Sequence, residues 1–381
     1  MRKRLIFICI ALCIFMNVKA FGEIQKEDIS AIVGESVDVS RIDRYMEDVS
    51  KDIDGIDKMS FGTFVDSILK GDFYISPSYI FSIILRNLFK EILKSTATFG
   101  GIMCVMVLSS ILKSVTSSFC GKSVGEMGFY VCYMIMVLSI CDIFRIGAEL
   151  TIDAVKTMGE FLNITIPVFI SIAISTGSVG EGVFIAPFIS GMSTFIIGFI
   201  SKVIVPSTVT ISVFELITYI SERNFLKSIT EFMKKCISMI LKGVAILFTI
   251  ILSLQKIAIP TVTGIFGKTL MSVTGSIPIV GDAIEGAVKT TLSLFTATKG
   301  CITVFVIIFM IILCFLPFVK LFAIYIMYRL ASAFSEPFCD KRLTGCIDCA
   351  SEFTSILIGI ILTSGVIFTF SIIIMVSSGI I

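Results

Sequence analysis

The side chains best placed to do chemistry are the charged ones that interrupt apolar runs. Asp142, Arg145, Glu149 and Asp153 recur at steps of three or four, on one face of a helix. Opposite charges at that spacing pair, which lowers the cost of burial, and a row of them can also line a polar or proton path. Glu215 and Lys320 stand alone in apolar surroundings. Asp142, Arg145, Glu215 and Lys320 are therefore the candidate lining or buried polar residues. The plainer alternative for each is a neutralised helix contact or a side chain snorkelling to the interface.

Catalytic constellations are missing by residue type. The chain has no His, which removes Ser-His, Cys-His and His-metal sites together. Gly121-Lys122-Ser123 and Gly267-Lys268-Thr269 lack the Gly a P-loop needs five residues earlier, where Thr116 and Val262 stand. Val280-Gly281-Asp282 falls short of an intramembrane protease element, since Ile279 replaces its first Gly and Asp142 is the only second membrane Asp. Cys346 and Cys349 form one C-x-x-C with Cys339 upstream, but a zinc site wants a second pair or His. No catalytic, metal or cofactor site is expected, and the cysteines read as small apolar residues.

Prolines and glycines within the apolar runs are more informative. Pro167, Gly177, Pro187, Pro278, Gly281 and Pro317 are the candidate helix-break positions. Backbone freed at membrane depth must be satisfied by protein or water, so such breaks often line cavities.

The elements that must hold these residues follow from composition. Of 381 residues, 56% are hydrophobic and 16% charged, and mean hydropathy is +1.01. A soluble domain averages about 25% charged, so an ordinary cytosolic enzyme is excluded. The expected fold is an all-α polytopic membrane protein with six to eight spans, some broken or re-entrant, and a small helical exported amino-terminal segment. The apolar runs begin at Phe99–Val115, Met127–Ile146 and Phe161–Thr176. Val183–Ile200 and Val203–Ile220 follow, with a turn or re-entrant hairpin expected at Lys202–Pro206, because a single helix there is too long for one crossing. Val244–Ile259, Cys301–Tyr328 and Phe353–Val376 complete the set.

Charge placement suggests an orientation. Residues 1–20 read as a signal peptide, with Arg2-Lys3-Arg4 before the apolar run Leu5–Met16 and a cleavage-like end at Ala20. Residues 21–98 read as an exported acidic segment with amphipathic helices, net −7 over 21–78, and residues 99–381 as the transmembrane domain. Tyr79–Lys94 is amphipathic, suited either to the membrane surface or to packing on the body. Loops 113–127, 177–182, 221–243 and 329–352 then lie inside. They carry ten Lys or Arg, against five in the outside loops after residue 98, in keeping with the positive-inside rule, while Arg86, Lys90 and Lys94 fall on the other side of that tally. Arg223, Lys227, Lys234 and Lys235 in the basic loop are the candidates for docking a cytoplasmic partner.

The run Gly275–Gly281 with its helix and Lys299-Gly300 resembles a hallmark of the stage III sporulation protein AE family. Pro317–Lys320 through Tyr328–Ala331, then Ala333, Glu336-Pro337 and Asp340-Lys341-Arg342, is similar to its carboxyl-terminal signature, and Pro167, Ser175–Gly177 and Pro187 fit its middle. The resemblance implies a non-enzymatic component of a channel or secretion-like complex between mother cell and forespore, required for forespore development. It implies residence in the mother-cell-derived outer forespore membrane as a multi-pass protein. Its partners would be a secretion-type ATPase, small membrane proteins and ring proteins of the intermembrane space, with no nucleic acid. The alternative from another class is a secondary transporter of a small solute or ion.

Overall fold

The computed structural model describes residues 77–119, 122–175, 179–220, 227–274, 281–337 and 339–377. All regular structure among them is helical, as expected. Helix α1 is Pro77–Phe119, α2 is Lys122–Ser175 and α3 is Val179–Phe199. A π-helical turn at Ile200–Ile204 joins α3 to α4, Val205–Ile220. Helices α5, Lys227–Thr274, α6, Gly281–Ser335, and α7, Lys341–Ser377, complete the set. The signal peptide, the segment 21–76, Gly177, Arg223 and Pro278 lie outside the described residues. The boundary expected at 98/99 falls within α1.

The span count is lower than expected. Among the described residues four helices are long and apolar enough to cross a membrane: Met127–Ser171, Ala186–Tyr219, Ile302–Ser335 and Lys341–Val376. A fifth appears if the bent pair Leu85–Lys94 and Phe99–Leu112 counts as one span. Fusion of neighbouring apolar runs accounts for two of the missing spans, and the expected span Val244–Ile259 runs into positions whose side chains lie outside the described residues. Met127–Ile146 and the run from Phe161 to Ser175 belong to one helix of 54 residues, about 81 Å long. The charged stretch between them does not end it, because Glu, Arg and Lys are good helix formers. The connection 176–178 therefore falls at the opposite end of α2 from residues 113–127, which corrects the inside placement of 177–182. That loop holds no Lys or Arg, so the inside tally keeps its ten cations.

The hairpin expected at Lys202–Pro206 is replaced by a continuous rod. Pro206 has no N–H to give Lys202, and its ring would press on that carbonyl. The chain absorbs the defect in the π turn, where the Val205 N–H bonds Ile200 O five residues back. Pro167, Pro187 and Pro317 each lie inside a helix that continues past them, so none of these three breaks its helix. A proline removes one backbone bond, and where no water competes for the remainder the helix persists. Gly281, by contrast, opens α6 after residues 275–280.

Helices α2 and α3 run antiparallel, as do α6 and α7. Helix α7 packs most extensively on α6 and also on α2, α4 and α5, while α1 closes the far side against α2 and α6. The middle of the bundle is filled by large side chains. Phe144 meets Phe353 at 4.4 Å between ring centroids, and Phe161 meets Phe309 at 4.9 Å. Met158, Leu357 and Phe368 are fully buried between them. In lipid such contacts gain dispersion energy rather than hydrophobic transfer energy, so close approach matters. Gly159 provides it under Ile197, where an added Cβ would collide. The amino-terminal parts of α2, α5 and α7 and the carboxyl-terminal part of α4 lie toward one end, where Tyr133 meets Cys346 and Leu216, Cys339 Sγ reaches Met106 O at 3.7 Å and Arg342 lies over the Phe129 ring. This is the end rich in Lys and Arg.

Candidate functional site

At that end three helices are joined by a cluster of charged and thiol side chains. Residues Thr230, Ile237, Leu241 and Phe248 form the buried stripe of α5, and Lys234 stands in the same stripe. Its ammonium Nζ is 2.5 Å from Glu215 Oε2 of α4 and 2.5 Å from Glu352 Oε2 of α7. Lys234 and Glu215 are each 15% exposed and Glu352 is 49% exposed, so the pair closest to the core is the one with Glu215. Burial by itself pulls the lysine's pKa down. Hydrogen bonds to the two carboxylates outweigh that, and Lys234 is held above its ordinary value.

The C-x-x-C supplies the next layer. Cys346, Cys349 and Glu352 follow one another at three-residue steps on one face of α7. Cys349 Sγ donates to Glu215 Oε2 at 3.2 Å and lies 3.5 Å from Ser212 O. Cys346 Sγ donates to Tyr133 Oη at 3.2 Å, and that hydroxyl donates to Leu216 O at 2.9 Å. Tyr219, one turn beyond Glu215, covers Gly345 so closely that an added Cβ there would collide with its ring. On the outer side of α7, Arg329 Nη1 and Ser332 Oγ both donate to Asp348 Oδ1, at 3.2 and 2.9 Å.

Chemically, the arrangement is a clasp. One cation neutralises carboxylates from two other helices, and the thiols are buried hydrogen-bond donors rather than activated nucleophiles. It can hold α4, α5 and α7 together, and a change of protonation or partner at Lys234 would release α5.

The four candidate polar residues do not converge. Glu215 belongs to the clasp. Asp142 and Arg145 are exposed on α2, where Arg145 Nη1 pairs with Glu149 Oε1 at 3.3 Å. Both partners are more than 60% exposed, so that pair adds at most about 1 kcal/mol. Lys320 is partly buried on α6, about 13 Å along the helix from Arg329. Of the docking candidates, Lys234 is turned onto its carboxylates, Lys235 is exposed, and Lys227 is the first residue of α5. Pro187 is exposed and Pro317 buried. Sequence reasoning did not single out Tyr133, Tyr219 or Glu352. The legible signal was the three-residue spacing of Cys346, Cys349 and Glu352, which puts two thiols and a carboxylate on one helical face.

The family described as Stage III sporulation protein AE matches residues 59–379. A protein named "Stage III sporulation protein AE" from Bacillus subtilis (strain 168) is 19% identical over 354 residues, 93% of this chain and 89% of that protein. No solved structure matches.

Proposed function

The chain belongs to the stage III sporulation protein AE family, and from that premise we propose that it is a non-enzymatic membrane subunit of the channel or secretion-like complex linking mother cell and forespore. Family and fold establish a sporulation protein with membrane-length apolar helices. One further observation carries the reading: the bundle's middle is packed with Phe144, Phe353, Phe161 and Phe309, and its Glu–Lys–Glu clasp ties helices together. A chain packed along its own axis serves as scaffold or wall, so a conduit forms between subunits and is energised by a partner.

In this reading the chain sits in the outer forespore membrane after its signal is cleaved. The cation-rich end faces the mother-cell cytoplasm. There Lys235, together with Arg223 and Lys227, meets a secretion-type ATPase or its adaptor, while the acidic amino-terminal segment faces the intermembrane space and its ring proteins.

The test is affinity purification of the tagged chain from sporulating cells alongside reconstitution of the chain alone in liposomes. The expected result is co-purification of several membrane and cytoplasmic proteins, with no gradient-driven solute uptake by the chain alone. Uptake without partners would overturn the reading in favour of a secondary transporter. Lys235→Glu should weaken recovery of the cytoplasmic partner; unchanged recovery would sink the docking assignment.

A further inference from the structure

Helix α2 carries an exposed stripe that stays on one face for more than thirty residues. From Met127, steps of four, three and four repeat through Leu138 and Glu149 to Glu160, and every position on that path is exposed. A period of eleven residues in three turns is about 3.67 per turn, close to the helix's own, so the stripe barely winds. Up to Leu138 it is apolar. Beyond Leu138 it holds Asp142, Arg145, Glu149, Asp153, Lys156 and Glu160, acidic in balance.

Helix α1 returns alongside α2 across residues 120–121, so positions equally far from that connection lie at about the same height. By helical rise Cys104 stands level with about residue 137, and beyond the 48° bend, where the rise along α2 falls by about a third, Lys94 stands level with about 146 and Arg86 with about 151. Arg86 and Lys94 are exposed, at the height of the acidic row. Gly100 and Cys104 are exposed at the height of Leu138, and a Cβ added to Gly100 or Gly101 would meet nothing within 4 Å. The α1 axis bends by 48° between Leu85–Lys94 and Phe99–Leu112, which sets the basic row at a tilt above the notch.

Leu112 of α1 lies against Gly128 of α2, and the exposed Leu108 and Val131 flank that contact, so the exposed sectors of the two helices adjoin. One side of the hairpin thus carries a basic row and a shallow notch on α1, beside an acidic row and an apolar ridge on α2. A two-fold axis along the membrane normal preserves height and exchanges left for right. It therefore sets the α1 rows of one copy against the α2 rows of the other, twice. We propose that this hairpin face is an isologous interface between two copies of the chain. Leu138 of each copy enters the Gly100–Cys104 notch of the other, as small residues allow close helix approach in lipid. Arg86 and Lys94 meet Glu149 and Asp153, which relieves the cost of charges near the bilayer. The interface is independent of what the complex transports.

The native thiol of Cys104 provides the test. Two differently tagged copies of the full chain carrying Leu138→Cys are co-expressed, and their membranes are oxidised mildly with copper phenanthroline. A disulfide-linked product bearing both tags is expected, lost in Cys104→Ala/Leu138→Cys and absent from an Ile250→Cys control on α5. Glu149→Lys/Asp153→Lys should reduce the product several-fold, and adding Arg86→Glu/Lys94→Glu should restore it. A Leu138→Cys product no stronger than the control, or one indifferent to Cys104, overturns the proposal, as does charge reversal without rescue. The mild Leu138→Cys exchange decides the outcome by itself if the charge variants do not reach the membrane.

Discussion

Lys234 is the cation that ties the clasp together. With its side chain mostly covered and two carboxylates at 2.5 Å, Lys234→Met leaves Glu215 and Glu352 facing each other without a cation. The expected cost is about 1–3 kcal/mol, below that of a fully buried pair because Glu352 is half exposed. Thermal unfolding in detergent, followed by circular dichroism or by a thiol dye that reports exposure of Cys346 and Cys349, measures it. The pH dependence has a definite sign. A lysine raised on folding contributes stability that is complete below its unfolded value, about 10.4, and is lost as pH climbs through the higher folded value. Wild type should therefore lose stability on the alkaline side, and Lys234→Met should lack that arm. Ser212 makes the contrary case: its hydroxyl is buried without a partner among the described residues. Ser212→Ala should be neutral or stabilise by up to about 1 kcal/mol in the same melt, and a clear loss would point to an unseen partner.

At the scale of elements, close approach of helices carries the energetics. Gly345 of α7 lies against Tyr219 of α4, next to the clasp. Gly345→Ala should push the two helices apart and cost about 1–3 kcal/mol. Tyr219→Ala opens the space, so the double variant should lose less than the sum of the two singles. Additive losses in a double-mutant cycle would mean the helices do not meet there. The π turn at Ile200–Ile204 acts on the same seam, since it sets the rotation at which α4 presents Glu215 and Tyr219 to α7. Helix α5 is the least enclosed rod near the clasp, with Phe232, Met239, Leu247 and Ile250 exposed to the surrounding medium. Such a face is natural against lipid chains, and Lys234 anchors that helix to α4 and α7.

For the whole molecule, the antiparallel order of the rods predicts sidedness. A cysteine placed at Ser178, in the α2–α3 connection, should react with a membrane-impermeant maleimide added to the outer side. One placed at Lys341, at the start of α7, should not. An eight-span arrangement would place both on the inside, so labelling at 178 separates it from the long-helix bundle. The reverse pattern at both sites would invert the orientation inferred from the cations. Each copy offers lipid an apolar belt that includes Phe195, Phe232 and Phe334 and keeps Phe144, Phe161 and Phe353 inside, so assembly through the α1–α2 face leaves the clasp of each copy intact.

Much of this was open to reading from the residues alone. Composition determined the solvent and the all-α class, because a chain 56% hydrophobic with long apolar runs must close its backbone bonds internally. Cation placement suggested an orientation and drew attention to Lys234, Arg329 and Arg342, which the fold brings to one end. The Pro and Gly motifs pointed to the family, which matches residues 59–379. What sequence reasoning missed depends on contacts between distant segments. Apolar runs are local, so each suggests one crossing, whereas α2 runs unbroken through the helix-forming charged stretch between two of them. Lys234 had the look of a free docking charge because its partners lie far off in sequence. Glu352 is 118 positions away, and Glu215 is likewise bonded by Cys349 across 134. Helix formation is decided within a few turns; which faces meet is decided by how whole rods fit, and only the tertiary structure records that.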